Sequence, residues 1–427
     1  MKSRITLILV LVLTLLLSAC KQEAEETVPT QTPSSQTESA VVRSNDVLFW
    51  HPFSPQIESG RHLLKQIDEF NSSHPDSHIV SQPISSCEAI LREIDERKEE
   101  GNLPGLVWIC FGADSSFQNS ENPVDLSAIA GSDDIQAFLS RFDPLLLDAV
   151  SYSESAAAVP FNITTPAVFY RTDLFAQNGL NPDDVSATWT NLVNAASLLT
   201  TNTETVSLTL GLDSAWMTEL LIAEDGGTML DTGTPAFNDR RFMESLDRTA
   251  ALFAEGGATI SDTSAQAAVA LENGSVAMAV LPHEWNAEFE GDEEIGMMPW
   301  PQNDGATVPF SGGSLYILPD EEMNEQTALE FIRFLMEEER LSQFASKADI
   351  LPARLSVLDS VRSSDEISTQ IALNVYDQGV IRTDYGLPFL SVQEIFISTL
   401  DSIFVQSIDT DEALTEAFLK LLDQMGK

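Results

Sequence analysis

Short apolar runs alternate with amphipathic stretches in the N-terminal part of the chain, and this alternation constrains the fold more than any other feature. Apolar runs at 47–50, 78–84 and 103–111 predict strands. The stretches between them, 57–70 and 88–100, carry apolar residues at helical spacing. Strands that alternate with helices form a parallel sheet covered on both faces. The sequence therefore predicts an α/β fold here, with ligand-binding side chains beyond the carboxyl ends of the strands.

The length and charge of the chain limit its domain count and its partners. With 427 residues the chain exceeds one ordinary hydrophobic core, so we expect two domains after any leader. Lys and Arg number 22 against 66 Asp and Glu, which gives a formal net charge of -44. Such a surface repels nucleic acid phosphates and anionic lipid headgroups. We therefore expect no nucleic-acid partner, and contact with a membrane only through a lipid anchor.

The N-terminus has the features of an export signal. Lys2 and Arg4 precede an apolar run at 5–17, which is shorter than the roughly 20 residues that span a bilayer. A charged start, a short apolar run and small residues are typical of a secretory signal. We therefore predict a signal peptide at residues 1–19.

The end of this run resembles the lipobox of bacterial lipoproteins. It reads Leu17-Ser18-Ala19-Cys20, and in a lipobox the cysteine thiol is acylated and becomes the mature N-terminus. The segment that follows is rich in Gln, Glu, Thr, Ser and Pro, and it buries too little apolar surface to order itself. We therefore predict that residues 20–44 form a lipidated cysteine and a disordered tether. A plain secretory signal with a chance cysteine is the alternative.

Two further cysteines, Cys87 and Cys110, leave one possible pair. Nothing in the sequence shows that they lie within bonding distance. A disulfide and two buried free thiols therefore both stay open at this point.

From residue 47 onwards the chain resembles the extracellular solute-binding proteins that feed ABC importers of sugars and related compounds. The resemblance rests on many short segments in the same order: Pro160-Phe161-Asn162, FYRTDLF at 169–175, GLNP at 179–182, Thr188-Trp189, LIAEDGG at 221–227, ALENGSVAMAVLPHEW at 270–285, IGMMPWP at 295–301, FSGGSLYIL at 310–318 and LPARLSV at 351–357.

The resemblance implies a two-lobe, type II periplasmic-binding-protein-like α/β fold. Three crossovers join the lobes, and the ligand cleft lies between them. We place lobe 1 at 45–165 plus 299–340, and lobe 2 at 166–298 plus 341–427. Closure of the lobes by a hinge motion would mark the loaded protein. The implied partners are a small-molecule ligand and the permease subunits of an ABC transporter, and we expect a monomer. A ligand sensor that signals to a receptor is an alternative role.

The ligand class is less constrained than the family. Segments such as VLFWHPF and GGSLYIL look most like the glycerol-3-phosphate-binding branch. However, an acid expected after the strand at 103–111 is replaced by Phe111-Gly112. Ile350 stands where a tyrosine is expected, and no Arg lies within the late loop at 385–388. We therefore predict a neutral sugar or oligosaccharide, with glycerol-3-phosphate or a glycerophosphodiester as the alternative.

Sugar binding needs flat aromatic rings for the apolar sugar faces and hydrogen-bond partners for the hydroxyl groups. Trp216 stands where maltose-type relatives place a stacking aromatic residue. Thr164 aligns with a polar ligand contact of the same relatives. The candidate ligand-binding residues are Trp216, Asn162, Thr164, Phe111, Trp50, Trp285, Gly312, Gly313, Tyr385 and His51, with Asp114, Glu219 and His283 as weaker candidates. For Gly312 and Gly313 the alternative is close packing of the chain.

No motif of an enzyme is present. The sequence contains no H-E-x-x-H, C-x-x-C, P-loop, G-x-G-x-x-G or G-x-S-x-G pattern. We therefore expect no catalytic residues, no metal site and no cofactor. A lipid-anchored glycoside hydrolase remains as an alternative, because paired carboxylates occur by chance among so many acids.

Overall fold

The computed structural model describes residues 46–151, 155–203, 205–303, 305–319 and 324–426. The predicted signal peptide, Cys20 and the tether lie outside these residues. In the described part, no helix has both the length and the apolar character needed to cross a membrane.

Two sheets and one short hairpin account for the strands of the described residues. The strands are β1 (Asp46–His51), β2 (His78–Pro83), β3 (Leu106–Cys110), β4 (Ala158–Thr164), β5 (Pro166–Arg171), β6 (Val206–Leu210), β7 (Leu230–Asp231), β8 (Thr234–Pro235), β9 (Ala258–Ile260), β10 (Val276–Pro282), β11 (Ile295–Pro299), β12 (Pro309–Ile317), β13 (Leu351–Pro352) and β14 (Val380–Ile381).

Helices connect most of these strands and cover the sheets. They are α1 (Glu58–Ser73), α2 (Cys87–Arg97), α3 (Asp114–Glu121), α4 (Leu126–Ala130), α5 (Ser132–Leu139), α6 (Pro144–Ala149), α7 (Thr172–Asn178), α8 (Pro182–Val185), α9 (Trp189–Asn202), α10 (Ser214–Glu224), α11 (Glu244–Ala254), α12 (Ser264–Glu272), α13 (Glu325–Leu335), α14 (Glu338–Ala348), α15 (Leu355–Val361), α16 (Ile367–Gln378), α17 (Phe389–Phe404) and α18 (Thr410–Gln424). A 3₁₀ turn, His283–Ala287, follows β10.

The first sheet has the strand order β13-β4-β12-β3-β1-β2, and β14 pairs with the start of β12. Strand β1 lies parallel to both β2 and β3, as the alternating pattern predicts. Strand β12 runs antiparallel to β3 on one side and to β4 on the other. The centre of this sheet is therefore completed by a strand from late in the chain.

The second sheet has the order β11-β5-β10-β6-β9. Strand β5 runs antiparallel to β10 and β11, whereas β6 lies parallel to β10 and β9. The chain passes from the first sheet to the second at Thr165, between β4 and β5. It returns to the first sheet between β11 and β12. Each sheet has a hydrophobic core of its own.

The first core extends beyond the lobe boundary that the sequence predicts at residue 340. Leu341 and Phe344 on α14 lie in the core of the first sheet, and β13 pairs with β4. Helix α14 presents an apolar face that packs against α1. The apolar spacing predicts such a face but does not tell which sheet it covers.

A disulfide bond joins Cys87, at the start of α2, to Cys110, at the end of β3. The two Cα atoms are 5.9 Å apart, and both residues are buried. The question that the sequence leaves open is therefore answered in favour of the disulfide. The bond fastens α2 to the carboxyl end of the parallel strands.

Candidate functional site

A chain of side-chain hydrogen bonds runs along the crossover from β4 to β5. The indole Nε1 of Trp108 donates to Oδ1 of Asn162 at 3.0 Å, and Nδ2 of Asn162 donates to Oγ1 of Thr164 at 3.2 Å. The Thr164 hydroxyl in turn donates to Oε1 of Glu284 at 3.1 Å. We call Trp108, Asn162, Thr164 and Glu284 the crossover chain. It brings two predicted ligand-binding residues together and connects the first sheet to the turn after β10.

Two glycines make room for this arrangement. A Cβ atom on Gly313 would lie 2.1 Å from Cε2 of Trp108. A Cβ atom on Gly312, whose φ is +143°, would lie 2.1 Å from the carbonyl oxygen of Asn162 and 2.8 Å from the ring of Phe111. Because real Cβ atoms do not approach this closely, the structure accounts for both glycines by close packing.

The turn after β10 is fixed to the crossover by backbone contacts. The amide of Thr165 donates to Nδ1 of His283 at 3.1 Å, and the amide of His283 donates to the Thr165 carbonyl at 2.9 Å. Burial lowers the pKa of His283 and raises the pKa of Glu284. The neighbouring Trp285 is partly buried and packs against a small core on the second sheet.

A second cluster forms around Arg382. Its two terminal nitrogens donate to the two carboxylate oxygens of Asp213 at 2.7 and 2.9 Å. Asp213 also caps α10, because its Oδ1 accepts the backbone amide of Trp216 at 2.9 Å. The guanidinium carbon of Arg382 lies 5.6 Å from the Trp216 ring centroid. Trp216 itself is 4% exposed and donates its indole N–H to the carbonyl of Pro309 at 2.8 Å.

The residues after Arg382 bridge helices of the two sheets. The amide and hydroxyl of Thr383 donate to Oε1 of Glu219, on α10, at 2.9 and 2.6 Å. Asp384 accepts the amide of Ser115, on α3, at 2.9 Å and its hydroxyl at 2.5 Å. We call Asp213, Glu219 and Arg382–Asp384 the arginine cluster. It ties α10 to α3 through one short segment.

Carboxylates outnumber cations in the arginine cluster. Burial raises the pKa of Glu219 to about 7, although Arg382 and Thr383 oppose this shift. Burial and the charge of Asp213 also raise the pKa of Glu88. For Asp213 burial alone would raise the pKa, but the charge and hydrogen bonds of Arg382 lower it below its usual value. The Arg382 guanidinium therefore interacts with three carboxyl groups, those of Asp213 and Glu219 in the cluster and that of Glu88 at the start of α2.

Glu219, a weaker candidate, belongs to this cluster, and the predicted residues Trp216 and Tyr385 lie beside it. Trp216 contributes the ring described above, and Tyr385 follows directly after the bridging segment. The Tyr385 side chain is buried, and its hydroxyl has no hydrogen-bond partner among the described residues. Phe111 is followed by Gly112, where a Cβ atom would lie 3.3 Å from Nε of Arg382. The carboxyl end of β3 therefore meets the guanidinium.

Three other predicted residues pack in the interior of the first sheet. Trp50 is fully buried, with the guanidinium of Arg97 lying 5.1 Å from its ring centroid. Nε2 of His51 is hydrogen-bonded to Ser81 at 2.8 Å, and burial lowers the pKa of His51 to about 3. Asp114 accepts a hydrogen bond from the hydroxyl of Tyr316 at 2.6 Å. The structure does not bring Trp50 and His51 into the crossover chain or the arginine cluster, whereas Asp114 precedes Ser115, the partner of Asp384, and the charge of Asp384 adds to burial in raising the pKa of Asp114.

A surface groove of about 890 Å³, lined by polar and charged residues, lies between α1 and α14. None of the predicted ligand-binding residues lines it, so it is not the candidate site. Within the described part of the chain, no group of three or more His, Cys, Asp or Glu side chains is arranged to hold a metal ion.

The chain crosses between the two sheets, and polar side chains lie at these crossings. This arrangement suits a protein that holds a small molecule between two halves. A family model described as bacterial extracellular solute-binding protein matches residues 65–373. The chain belongs to this family. It is therefore an exported solute-binding protein, as the motifs in the sequence predict.

Known members of the solute-binding family share the length and the fold of this chain. The sn-glycerol-3-phosphate-binding periplasmic protein UgpB of Escherichia coli (strain K12) is 23% identical over 336 residues, which cover 74% of this chain and 75% of UgpB. The GacH receptor of Streptomyces glaucescens, whose structure was solved unliganded and with acarbose, matches with a TM-score of 0.77 and 19% identity, covering 90% of this chain and 98% of the receptor.

A third relative gives the same result for the fold. UgpB from Mycobacterium tuberculosis, in complex with glycerophosphocholine, matches with a TM-score of 0.75 and 19% identity, covering 90% of this chain and 99% of that protein. These likenesses confirm the predicted two-lobe periplasmic-binding-protein fold.

Six residues of the two clusters are missing from the sequence predictions: Trp108, Glu284, Asp213, Arg382, Thr383 and Asp384. Glu284, Asp213 and Arg382 are single charged residues in a strongly acidic chain, and no motif singles them out. An Asp before an apolar helix is a typical N-cap, so Asp213 had a local signal for its position. Its pairing with Arg382, which lies 169 residues later, had none.

Proposed function

We propose that this solute-binding protein captures a neutral sugar or oligosaccharide outside the cytoplasm and delivers it to an ABC importer. The observation that carries the proposal is the crossover chain. Its side chains offer hydrogen-bond donors and acceptors, and it contains no cation. Sugar hydroxyls both donate and accept, so such a set suits them.

Aromatic rings next to these groups support the same ligand class. Trp285 directly follows Glu284 and is partly exposed, and Trp216 lies beside the arginine cluster. Aromatic rings bury the apolar faces of sugars, while polar neighbours satisfy the hydroxyl groups. The GacH receptor, which has the same fold, was solved with acarbose.

Glycerol-3-phosphate or a glycerophosphodiester is the second candidate, because the two UgpB relatives bind such ligands. A phosphate group is usually held by charge-assisted hydrogen bonds from Arg or Lys. In this chain Arg382 is paired with Asp213, and Glu284 places a further carboxylate at the crossover. These charges favour the neutral ligand.

Calorimetric titration of the purified protein decides between the two. The panel contains maltose, maltotriose, trehalose, sn-glycerol-3-phosphate and glycerophosphocholine. We expect at least one neutral sugar to bind with micromolar or tighter affinity and to be recovered unchanged. Tight binding of glycerol-3-phosphate alone would overturn the proposal, and hydrolysis of the sugar would support the glycoside hydrolase alternative.

We further propose that Cys20 carries a diacylglycerol that holds the protein at the membrane, with residues 21–44 as a tether. One acyl chain gives only marginal membrane binding, whereas two chains give stable anchoring. Mass spectrometry of the protein extracted from membranes is expected to show a modified N-terminal Cys20. An unmodified Cys20, or cleavage at another position, would contradict the anchor.

A further inference from the structure

We infer that Asp213 is a specificity-determining residue. Because it pairs with Arg382, the arginine cluster beside Trp216 accepts an uncharged hydroxyl group of the ligand and excludes anions. The inference rests on the proposed function and names the residue that sets the ligand class.

The geometry leaves Arg382 with little capacity for an anion. Both terminal nitrogens already donate to Asp213, in the two-pronged arrangement that a phosphate or carboxylate ligand would also use. An incoming anion would have to displace Asp213, which also caps α10 and accepts a hydrogen bond from Gln393 at 2.8 Å. Displacement would break all of these bonds at once.

The surrounding charge acts in the same direction. Arg382 is 5% exposed, and the charges of Asp213, Glu219 and Glu88 all act on its guanidinium group. Removing charges from water strengthens their interactions, so an additional anion here would meet strong repulsion. An uncharged ligand group meets no such barrier.

Two polar atoms of the cluster still lack partners among the described residues. They are Nε of Arg382 and the hydroxyl of Tyr385, on side chains of residues that are 5% and 9% exposed. The Nε atom lies beside Gly112, where a Cβ atom would be 3.3 Å from it and 3.2 Å from the Thr383 carbonyl oxygen. Nε is a donor only, whereas a tyrosine hydroxyl donates and accepts. A ligand hydroxyl can accept from Arg382 and exchange a hydrogen bond with Tyr385, while the Trp216 ring covers an apolar face.

The test is the substitution Asp213→Asn. Asparagine is as good an N-cap as aspartate, so α10 keeps its cap while Arg382 loses its counter-charge. The probe is sn-glycerol-3-phosphate, titrated into the variant and the wild type in the same buffer. We expect the variant to bind this anion about tenfold or more tightly than the wild type does. Adding Arg382→Gln to the variant should abolish the gain.

The matched control is Asp409→Asn. Asp409 caps α18 and accepts the amide of Asp411 at 3.0 Å, so this change removes the same charge from a helix cap that is not bonded to Arg382. An Asp213→Asn variant that is folded but binds the anion no better than Asp409→Asn overturns the inference. If Asp213→Asn does not fold, Asp213→Ser, which also keeps a capping oxygen, is titrated with the same expectation.

The outcome separates this inference from the proposed function. A wild-type protein that binds a neutral sugar, together with an Asp213→Asn variant without anion gain, refutes only the role of Asp213. A wild-type protein that binds glycerol-3-phosphate tightly refutes both, because the anion then binds in the presence of Asp213.

Discussion

The indole N–H of Trp108 reaches Oδ1 of Asn162 directly across Gly313, with 3.0 Å between nitrogen and oxygen. The three residues lie on neighbouring strands, with β12 between β3 and β4. The Trp108 ring occupies the space that any side chain at position 313 would need. A predicted ligand-binding residue, Asn162, is thus oriented by a tryptophan from another strand.

We expect Gly313→Ala to destabilise the protein and to weaken ligand binding. The new methyl group would overlap the Trp108 ring, and overpacking of this kind costs about 1–3 kcal/mol. The free energy of unfolding, tryptophan fluorescence and sugar affinity are the measurements. The control is Gly101→Ala, where a Cβ atom meets nothing within 4 Å and only the positive φ of +72° adds strain. Equal fluorescence and affinity in both variants would contradict the role of Gly313.

Trp216→Phe should leave the protein folded and weaken the affinity for the sugar by about tenfold, a loss of about 1.4 kcal/mol. Phenylalanine offers a smaller ring and no donor for the Pro309 carbonyl. The control is Trp189→Phe. Trp189 is also fully buried and stacks on Trp300 with 4.9 Å between ring centroids, at the start of α9. The Trp189→Phe substitution should lower the melting temperature without changing the affinity for the sugar. Unchanged affinity in Trp216→Phe would remove Trp216 from the site.

We expect one contribution to the free energy of unfolding of the wild type to decrease as the pH rises from about 4.5 to 7. The pKa of Glu219 is about 7 in the folded protein and 4.5 as its ordinary value, so the folded state binds more protons across this window. One pKa unit corresponds to about 1.4 kcal/mol, so the loss is on the order of a few kcal/mol. Glu219→Gln should flatten this part of the profile.

Unfolding by denaturant at several pH values measures this component as the difference between wild type and variant. The comparison is needed because His51 acts in the opposite direction. Its pKa of about 3 lies below the ordinary 6.5, so it adds stability as the pH rises through that range. Glu394→Gln, on the exposed side of α17, serves as the control. If the free energy of unfolding of Glu219→Gln depends on pH in the same way as that of the wild type, the Glu219 carboxylate is not the source of this contribution.

Replacing both bridged cysteines, Cys87→Ala with Cys110→Ala, should lower the free energy of unfolding by about 2–4 kcal/mol. The bond restricts the unfolded chain and fastens α2, which carries Glu88, to the end of β3. Thermal unfolding of the double variant is compared with that of the wild type under reducing and non-reducing conditions. If the reductant lowers the melting temperature of the double variant as much as that of the wild type, the effect does not come from this bond.

Much of the fold could be predicted from the sequence because its signals are local. The run at 78–84 predicts a strand that the structure has at His78–Pro83, and the helix predicted at 57–70 is Glu58–Ser73. Alternation of such elements indicated the parallel part of the first sheet. The family motifs then indicated the two-lobe fold, which the comparisons confirm.

The site was less predictable because its contacts connect distant parts of the chain. Thr164 was predicted, but its partner Glu284 lies 120 residues away among many other acids. Trp50 is fully buried in the core of the first sheet, which the apolar spacing of its strand does not reveal. Local sequence patterns indicate which face of a helix or strand is apolar. They do not indicate which charged residue from a distant part of the chain will become a hydrogen-bond partner.

The position of β12 between β3 and β4 also sets the order in which the protein can mature. Strands β3 and β4 have no direct pairing with each other and are joined only through residues 309–317. An exported chain that emerges from its N-terminus therefore cannot close its first sheet until these residues have crossed the membrane. The crossover chain, which spans β3, β4 and the turn after β10, forms only then. Competence to hold a ligand thus arises late, after most of the polypeptide has crossed the membrane.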